Sequence, residues 1–155
     1  RIWSIFLLAR SSFVNARKNN GDTALHWAAT KGNKRMAQLL VAHGATIDVE
    51  GEGKNTPLHL ACTANYDEVV HLLLERGASV TARNDAMNTP LQLATSQNIR
   101  NWLQSVQQGG DAARQKLRQE TAEAESWRQA QLKKTMMEKE AADKARDEAE
   151  EANRI

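Results

Sequence analysis

Apolar and polar positions follow a helical period in two short segments near the start of the chain, at about residues 23–30 and 34–42. In each segment the apolar residues lie one, three or four positions apart, the spacing that places them on one face of an α-helix: Leu25, Ala28, Ala29, Met36, Leu39, Leu40. Gly32 separates the segments, and Gly44 follows the second one at the usual position of a left-handed helix cap. The pattern predicts a unit of turn, helix, loop, helix and glycine stop.

This unit returns with a step of 33 residues. The hexapeptide that begins at Thr23 recurs, with changes, at Thr56 and Thr89, and Gly44-Ala45 recurs as Gly77-Ala78. A step of about 20 to 50 residues is typical of stacked repeat arrays, in which each unit buries its apolar face against its neighbours. Such arrays usually present a surface, so the pattern favours binding over catalysis.

The hexapeptide and the Gly-Ala ending resemble the ankyrin repeat, and Asn15-Ala16 before the first turn also matches that family. The resemblance covers about residues 1–106. It implies an all-α ankyrin-repeat solenoid of helix-turn-helix repeats with β-turn fingers, where a finger is the turn before each first helix. It also implies that His26 and His59 hydrogen-bond to the backbone of the adjacent loop.

Three repeats are expected from these markers, with the bounds 14–46, 47–79 and 80–108. The third is expected to be a shortened capping repeat because its second-helix apolar residues come three positions early and no Gly-Ala follows. The fingers also depart from the family pattern. Gly21 aligns with Lys54 and Met87, two residues that do not favour a tight turn.

The opening of the chain is strongly apolar from Ile2 to Ala9, but it is far shorter than the roughly 20 residues of a membrane-spanning helix. One repeat step before Met36, Leu39 and Leu40 lie three further apolar residues, Trp3, Phe6 and Leu7. We therefore predict that residues 1–13 are the second helix of an earlier, truncated repeat. A remnant of a targeting segment is the alternative.

Residues 109–155 are predicted to form one long charged helix, with Asp111 as its N-cap, because strong helix formers dominate and no proline interrupts them. The apolar ladder of this helix is mostly alanine, which makes a poor coiled-coil seam. Three interpretations stay open: a solvated single helix, a helix docked on partner proteins through Trp127 and Met136, and a self-associating coiled coil.

Composition excludes several kinds of chemistry. The chain of 155 residues has a net charge of +2 with scattered basic residues, which argues against a nucleic-acid partner. Cys62 is the single cysteine, so no intrachain disulfide is expected, and a cytoplasmic setting is favoured. No histidine pair has metal-ligand spacing, and no catalytic set or phosphate loop is present, so neither an enzyme nor a cofactor is expected.

The remaining candidates are surface residues. The resemblance implies that partners contact the fingers and the exposed side of the first helices: Asn19, Asn20, Asp22, Thr30, Lys31, Glu52, Asn55, Thr63, Asp85, Asn88. Trp27 is either a core residue or an aromatic anchor for a partner.

We therefore expect a non-enzymatic adaptor or scaffold, with no membrane span, that is a subunit of a larger protein complex. A structural component of a cytoskeletal or ciliary lattice, and the regulatory segment of a larger enzyme, are the alternatives.

Overall fold

A computed structural model describes residues 11–154, with the side chains of residues 13–154, so most of the predicted helix over residues 1–13 lies outside the described residues. This part of the chain is helical and contains no strand. Apart from a short helix α1 (Ser11–Val14) and a 3-10 turn (Glu52–Lys54), the helices come in pairs: α2 (Ala24–Lys31) with α3 (Lys34–Ala42), α4 (Pro57–Thr63) with α5 (Asp67–Glu75), α6 (Pro90–Leu93) with α7 (Gln97–Ala152). The predicted helix-turn-helix repeats are confirmed.

Each first helix begins at the threonine of the hexapeptide. Thr23, Thr56 and Thr89 adopt extended backbone and act as N-caps, and each forms a capping box with the residue three positions on. That residue is a histidine in the first two repeats and Gln92 in the third. The hexapeptide therefore starts a helix because it satisfies backbone N–H groups that the first turn leaves without partners.

The pairs stack into two layers. The first helices α2, α4 and α6 pack in one row, and α3 packs on α5 in the other. Leu25 and Leu58 of the first helices, with Leu40 and Leu73 of the second helices, are at most 1% exposed. Burial of such a side chain is worth about 1.5–3 kcal/mol, so these leucines and the small residues between them supply most of the stability of the array.

All three fingers have a left-handed residue at the same position despite their different sequences. Gly21 has a φ of 89°, and the aligned Lys54 and Met87 have φ values of 55° and 62°. A left-handed conformation costs a residue with a Cβ about 1–2 kcal/mol relative to its preferred regions. The second and third fingers therefore keep this left-handed residue at an energetic cost, and the second differs from the others by its 3-10 turn.

The third repeat is short because Ala94 is extended and ends α6 after four residues. Asn65, which precedes α5 in the second repeat, accepts hydrogen bonds from the backbone N–H groups of Thr95 (3.3 Å) and Ser96 (3.0 Å). These bonds fix the loop from which α7 starts. In α7, Ile99 and Leu103 are fully buried, as the early apolar spacing predicts.

Residues just beyond 108, the predicted end of the third repeat, contact the array. Contacts divide the chain into a first unit, Arg1–Leu117, and a second unit, Arg118–Ile155. The backbone is non-helical at Gly110 (φ 55°, ψ −129°), yet Leu117 beyond this break is only 6% exposed and belongs to the core cluster of the first unit. Gly110 thus interrupts α7 directly before Asp111, the predicted N-cap of the long helix.

Arg114 explains why this segment belongs to the array. Its guanidinium donates hydrogen bonds to the carbonyl oxygens of Leu74 (2.7 Å) and Ala78 (2.6 Å) at the carboxyl end of α5. The last carbonyls of a helix lack intrahelical partners, and a cation there is favoured by the helix dipole. Arg114 thereby adds a charged donor to the carbonyl of Leu74, which also accepts the N–H of Gly77, and binds the carbonyl of Ala78.

The second unit consists of the rest of α7, which ends at Ala152. Its large apolar side chains are exposed, and Trp127 (68%) and Met136 (63%) are representative. No helix that the structure describes is both long and apolar enough to cross a membrane.

Candidate functional site

The first two fingers are joined by a polar network that includes several predicted site residues. Asp22 accepts hydrogen bonds on both carboxylate oxygens, from the N–H of Glu52 (2.9 Å) and from the side-chain amide of Asn20 (3.2 Å). The same amide also donates to Glu52 Oε2 at 3.2 Å. Asn20, Asp22 and Glu52 therefore hold neighbouring fingers together, which accounts for their polarity without a partner.

A second network links the second and third fingers. Asn84 is 9% exposed, and its amide donates to Asn55 Oδ1 at 2.9 Å, while its Oδ1 accepts from the N–H of Asn88 at 3.0 Å. The sequence prediction missed Asn84. The repeat step offers a signal, because Asn84 is equivalent to Gly51 of the second finger. Gly51 packs against Asp22 and His26, so this position faces the preceding finger.

Gly51 is required by that close approach. A Cβ built at Gly51 would collide with Asp22 Oδ1 and would lie 2.8 Å from His26 Nε2. Any side chain at this position would therefore displace the contacts between the first two fingers.

His26 and His59 carry the bond between one repeat and the next. In each ring Nδ1 accepts the N–H of its own capping threonine, at 3.0 Å and 3.1 Å. Nδ1 is therefore unprotonated, and the proton resides on Nε2. From there His26 donates to the carbonyl of Asn55 (2.8 Å), and His59 to that of Asn88 (3.0 Å). The expected bond to the adjacent loop is confirmed at both positions.

Burial lowers the pKa of His59 below its usual value, and this effect exceeds the opposing effect of the hydrogen bonds to Asn88 and Ala82. The neutral ring is the form that can accept from Thr56 and donate to the next finger. These histidines are structural, which leaves no histidine of the hexapeptides for a metal or for catalysis.

The exposed side of the first helices forms a continuous surface, which we name the first-helix face: Trp27, Thr30, Lys31, Leu60, Thr63. Trp27, Thr30 and Lys31 lie at i, i+3 and i+4 in α2, so they share one side of that helix. The indole of Trp27 is 44% exposed. The interpretation of Trp27 as a core residue is therefore wrong, because stacking buries Leu25, Ala28 and Ala29 instead.

The hydroxyls on this face are turned towards their own helices. Thr30 Oγ1 donates to the carbonyl of His26 (2.9 Å), and Thr63 Oγ1 donates to that of His59 (2.8 Å). Among the described residues the side chains of Asn19, Lys31 and Asp85 have no protein hydrogen-bond partner. Asn88 is half-buried, and its side chain also makes no protein hydrogen bond. With Trp27, these four are the predicted site residues of the array that are free to contact another molecule, and Trp127 and Met136 of the second unit are exposed as well.

An open depression of about 500 Å³ lies beside the fingers, where the first and second repeats meet. Arg17 and Lys54 contribute positive charge to its lining, and Asp48 and Glu50 contribute negative charge. Such a mixed lining suits polar protein segments better than a polyanion.

The structure bears on metal binding and on the reactivity of the cysteine. No group of three or more histidine, cysteine, aspartate or glutamate side chains in this part of the chain could hold a metal ion. Burial raises the pKa of the Cys62 thiol to about 12, so this cysteine stays protonated and packs as a small apolar residue.

Comparisons with known proteins agree with the repeat geometry. The family model described as ankyrin repeats (3 copies) matches residues 4–84, just over half of the chain. A search of curated proteins found no match. Ankyrin repeats are protein–protein interaction modules, and the match, the 33-residue step and the histidine bonds between repeats together place this chain in the ankyrin-repeat family.

Proposed function

We propose that this chain is a non-enzymatic adaptor, in which the first-helix face and the fingers of the array bind one protein and the helix of the second unit docks into a larger assembly. The observation that carries the proposal is Trp27. An indole that is 44% exposed, at a position where the second repeat has a half-buried Leu60, offers a partner a large apolar contact surface with a polar N–H group. Tryptophan is also enriched among residues that dominate binding energy.

The chemistry around Trp27 indicates the kind of partner. Lys31 lies beside it on α2, and the unpaired side chains of Asn19 and Asp85 lie in the fingers. An aromatic anchor surrounded by mixed polar groups is the usual anatomy of a protein–protein interface. A protein segment with an apolar residue for Trp27 and polar groups for the fingers fits this surface.

The decisive experiment compares Trp27→Ala with Leu39→Ala in quantitative pull-downs of the full chain. Leu39 is a matched control because it is 40% exposed but lies on a second helix, in the other row. Loss of an aromatic anchor weakens binding by about 2 kcal/mol or more, about 30-fold. Trp27→Ala should deplete specific proteins that Leu39→Ala retains. A capture profile that is the same for both variants would remove the first-helix face from the proposal.

The finger surface requires a different set of substitutions. Replacing Asp22 or Asn55 would break bonds between fingers, so a loss of binding would also follow from a weakened array. Asn19→Ala, Lys31→Ala and Asp85→Ala change side chains that make no described hydrogen bond, and each should leave the unfolding free energy within about 0.5 kcal/mol of wild type. Reduced capture by these variants therefore reports on the partner.

Docking of the second unit is tested by truncation after Leu117. A cut at Asp111 would also remove Arg114 and Leu117, and with them contacts of the array. Truncation after Leu117 should preserve the proteins that depend on Trp27 and release a second, distinct set. If one set is captured and it does not change on truncation, the helix has no docking role.

A further inference from the structure

The helix of the second unit contains two neighbouring segments of opposite charge, which we name the basic segment (residues 127–139) and the acidic segment (residues 140–151). The basic segment has four basic residues and one acidic residue, a net charge of +3. The acidic segment has six acidic and two basic residues, a net charge of −4. Each segment is about 18–20 Å long at 1.5 Å per residue.

Almost every side chain in both segments is exposed. The helix continues without a break from one segment into the other, so the acidic segment cannot fold back onto the basic segment of its own chain. The complementary surface closest in length and charge is therefore the same helix in another molecule. An antiparallel pair would place each basic segment beside an acidic one, whereas a parallel pair in register would place like charges together.

The apolar side chains support the same arrangement. At 100° per residue, two large apolar residues of the basic segment share an arc of about 80° with three alanines: Trp127, Met137, Ala141, Ala145, Ala152. Lys134 and Glu148 fall in the same arc, whereas Leu132 and Met136 lie on the opposite side of the helix. In an antiparallel pair with the two segments superposed, Trp127 falls opposite Ala152, and Met137 falls next to Ala141. Large side chains then meet small ones, which allows close packing.

We propose that residues 127–152 bind a second copy of this chain as an antiparallel helix pair, held by the complementary charges and by Trp127 and Met137 packed on alanines. The proposal does not depend on the adaptor function. It adds self-association to the docking role proposed above, because Leu132 and Met136 lie outside the paired arc and stay exposed for another protein. The mostly alanine ladder alone makes a poor seam, so the complementary charges are needed for pairing.

The first test uses charge reversal in the full chain. One variant carries Arg128→Glu, Lys133→Glu and Lys134→Glu, and the other carries Glu148→Lys, Glu150→Lys and Glu151→Lys. Each variant alone places like charges together, so its self-association in sedimentation equilibrium should weaken by about tenfold or more relative to wild type. An equimolar mixture should form a heterodimer, because both contacts are complementary again.

The outcomes are distinct. A wild-type chain that stays monomeric up to about 300 µM overturns the proposal, because an association weaker than this is too weak to count as specific pairing. Variants that dimerise as well as wild type would place the interface elsewhere and also overturn it. Far-UV circular dichroism of each variant verifies that the exposed substitutions leave the helix formed.

The second test determines orientation by disulfide cross-linking. Lys134→Cys and Ala145→Cys lie opposite each other in this antiparallel register, and both fall within the packing arc, so a mixture of these two variants should form the mixed disulfide in preference to either homodimer. A parallel pair would cross-link Lys134→Cys to itself, and that result would refute the antiparallel arrangement. The native Cys62 does not interfere, since it is buried and its thiol stays protonated.

Discussion

The histidine bonds between repeats make a quantitative prediction, because the chain contains its own control. His59→Gln should keep the local cap, since Gln92 at the same position of the third repeat accepts the N–H of Thr89 at 2.8 Å through Oε1. The shorter glutamine should lose the bonds that His59 Nε2 makes to the carbonyls of Ala82 (3.1 Å) and Asn88 (3.0 Å).

The size of the effect follows from these two bonds. A typical hydrogen bond contributes about 1 kcal/mol net. The carbonyl of Asn88 keeps the N–H of Asn84 as a donor, whereas the carbonyl of Ala82 loses the donor that His59 supplies. Because His59 is fully buried, water does not replace the lost donor without further rearrangement. We expect His59→Gln to lower the free energy of unfolding by about 2 kcal/mol.

The control is the reverse substitution, Gln92→His. Gln92 is exposed, and in the described part of the chain no finger follows the third repeat. The new imidazole would therefore have no carbonyl to reach, and its effect should stay within about 0.5 kcal/mol. Urea unfolding of both variants and wild type measures the difference. Equal effects at the two positions would refute the inter-repeat bond as the cause.

Three further predictions follow from single features. Burial lowers the pKa of His59, so the unfolded chain binds more protons than the folded chain below the ordinary histidine pKa of about 6.5. The contribution of His59 to stability is therefore complete above that pH and is lost as the pH falls through it. In urea unfolding between about pH 7.5 and 5.5, the free energy of unfolding should decline less for His59→Gln than for wild type. Lys54→Gly and Met87→Gly should each stabilise the array by about 0.5 kcal/mol, because relief of the left-handed φ outweighs the added flexibility of the unfolded chain. Gly21→Ala should destabilise the array by about 1 kcal/mol for the same reason. Thermal unfolding measures all three variants, and a destabilising Met87→Gly would contradict the argument. Arg114→Ala should lower the free energy of unfolding by about 2 kcal/mol, because two charge-assisted hydrogen bonds are lost. Amide hydrogen exchange at the carboxyl end of α5 should also become faster, and unchanged exchange there would contradict the role of Arg114.

The repeat architecture could be predicted from the sequence because its signals are local and recur. The helix caps depend on residues three positions apart, and the 33-residue step showed which positions are equivalent. The same step predicted that His26 and His59 are structural. Local spacing also placed the buried Ile99 and Leu103 of the shortened repeat correctly.

The remaining features depend on contacts that no local pattern reveals. Lys54 and Met87 gave no sign of a left-handed φ, since the finger geometry is imposed by neighbouring fingers. The contacts of Arg114 with the array have no local signal, because Arg114 binds carbonyls in the preceding repeat, more than 30 residues earlier in the chain. For the candidate site, the pattern identified polar finger residues but could not separate those that hold the fingers together from those, such as Lys31, that remain available.

Arg114 also has a consequence for the order in which the chain is made. Synthesis proceeds from the amino end, so Leu74 leaves the ribosome about 40 residues before the guanidinium that adds a charged hydrogen bond to its carbonyl. Until then the end of α5 faces water, and the third repeat, which packs against the second, is incomplete. The array completes its packing only after the segment beyond Gly110 has emerged, and a chain that stops short of it should be a preferred substrate for cellular proteases.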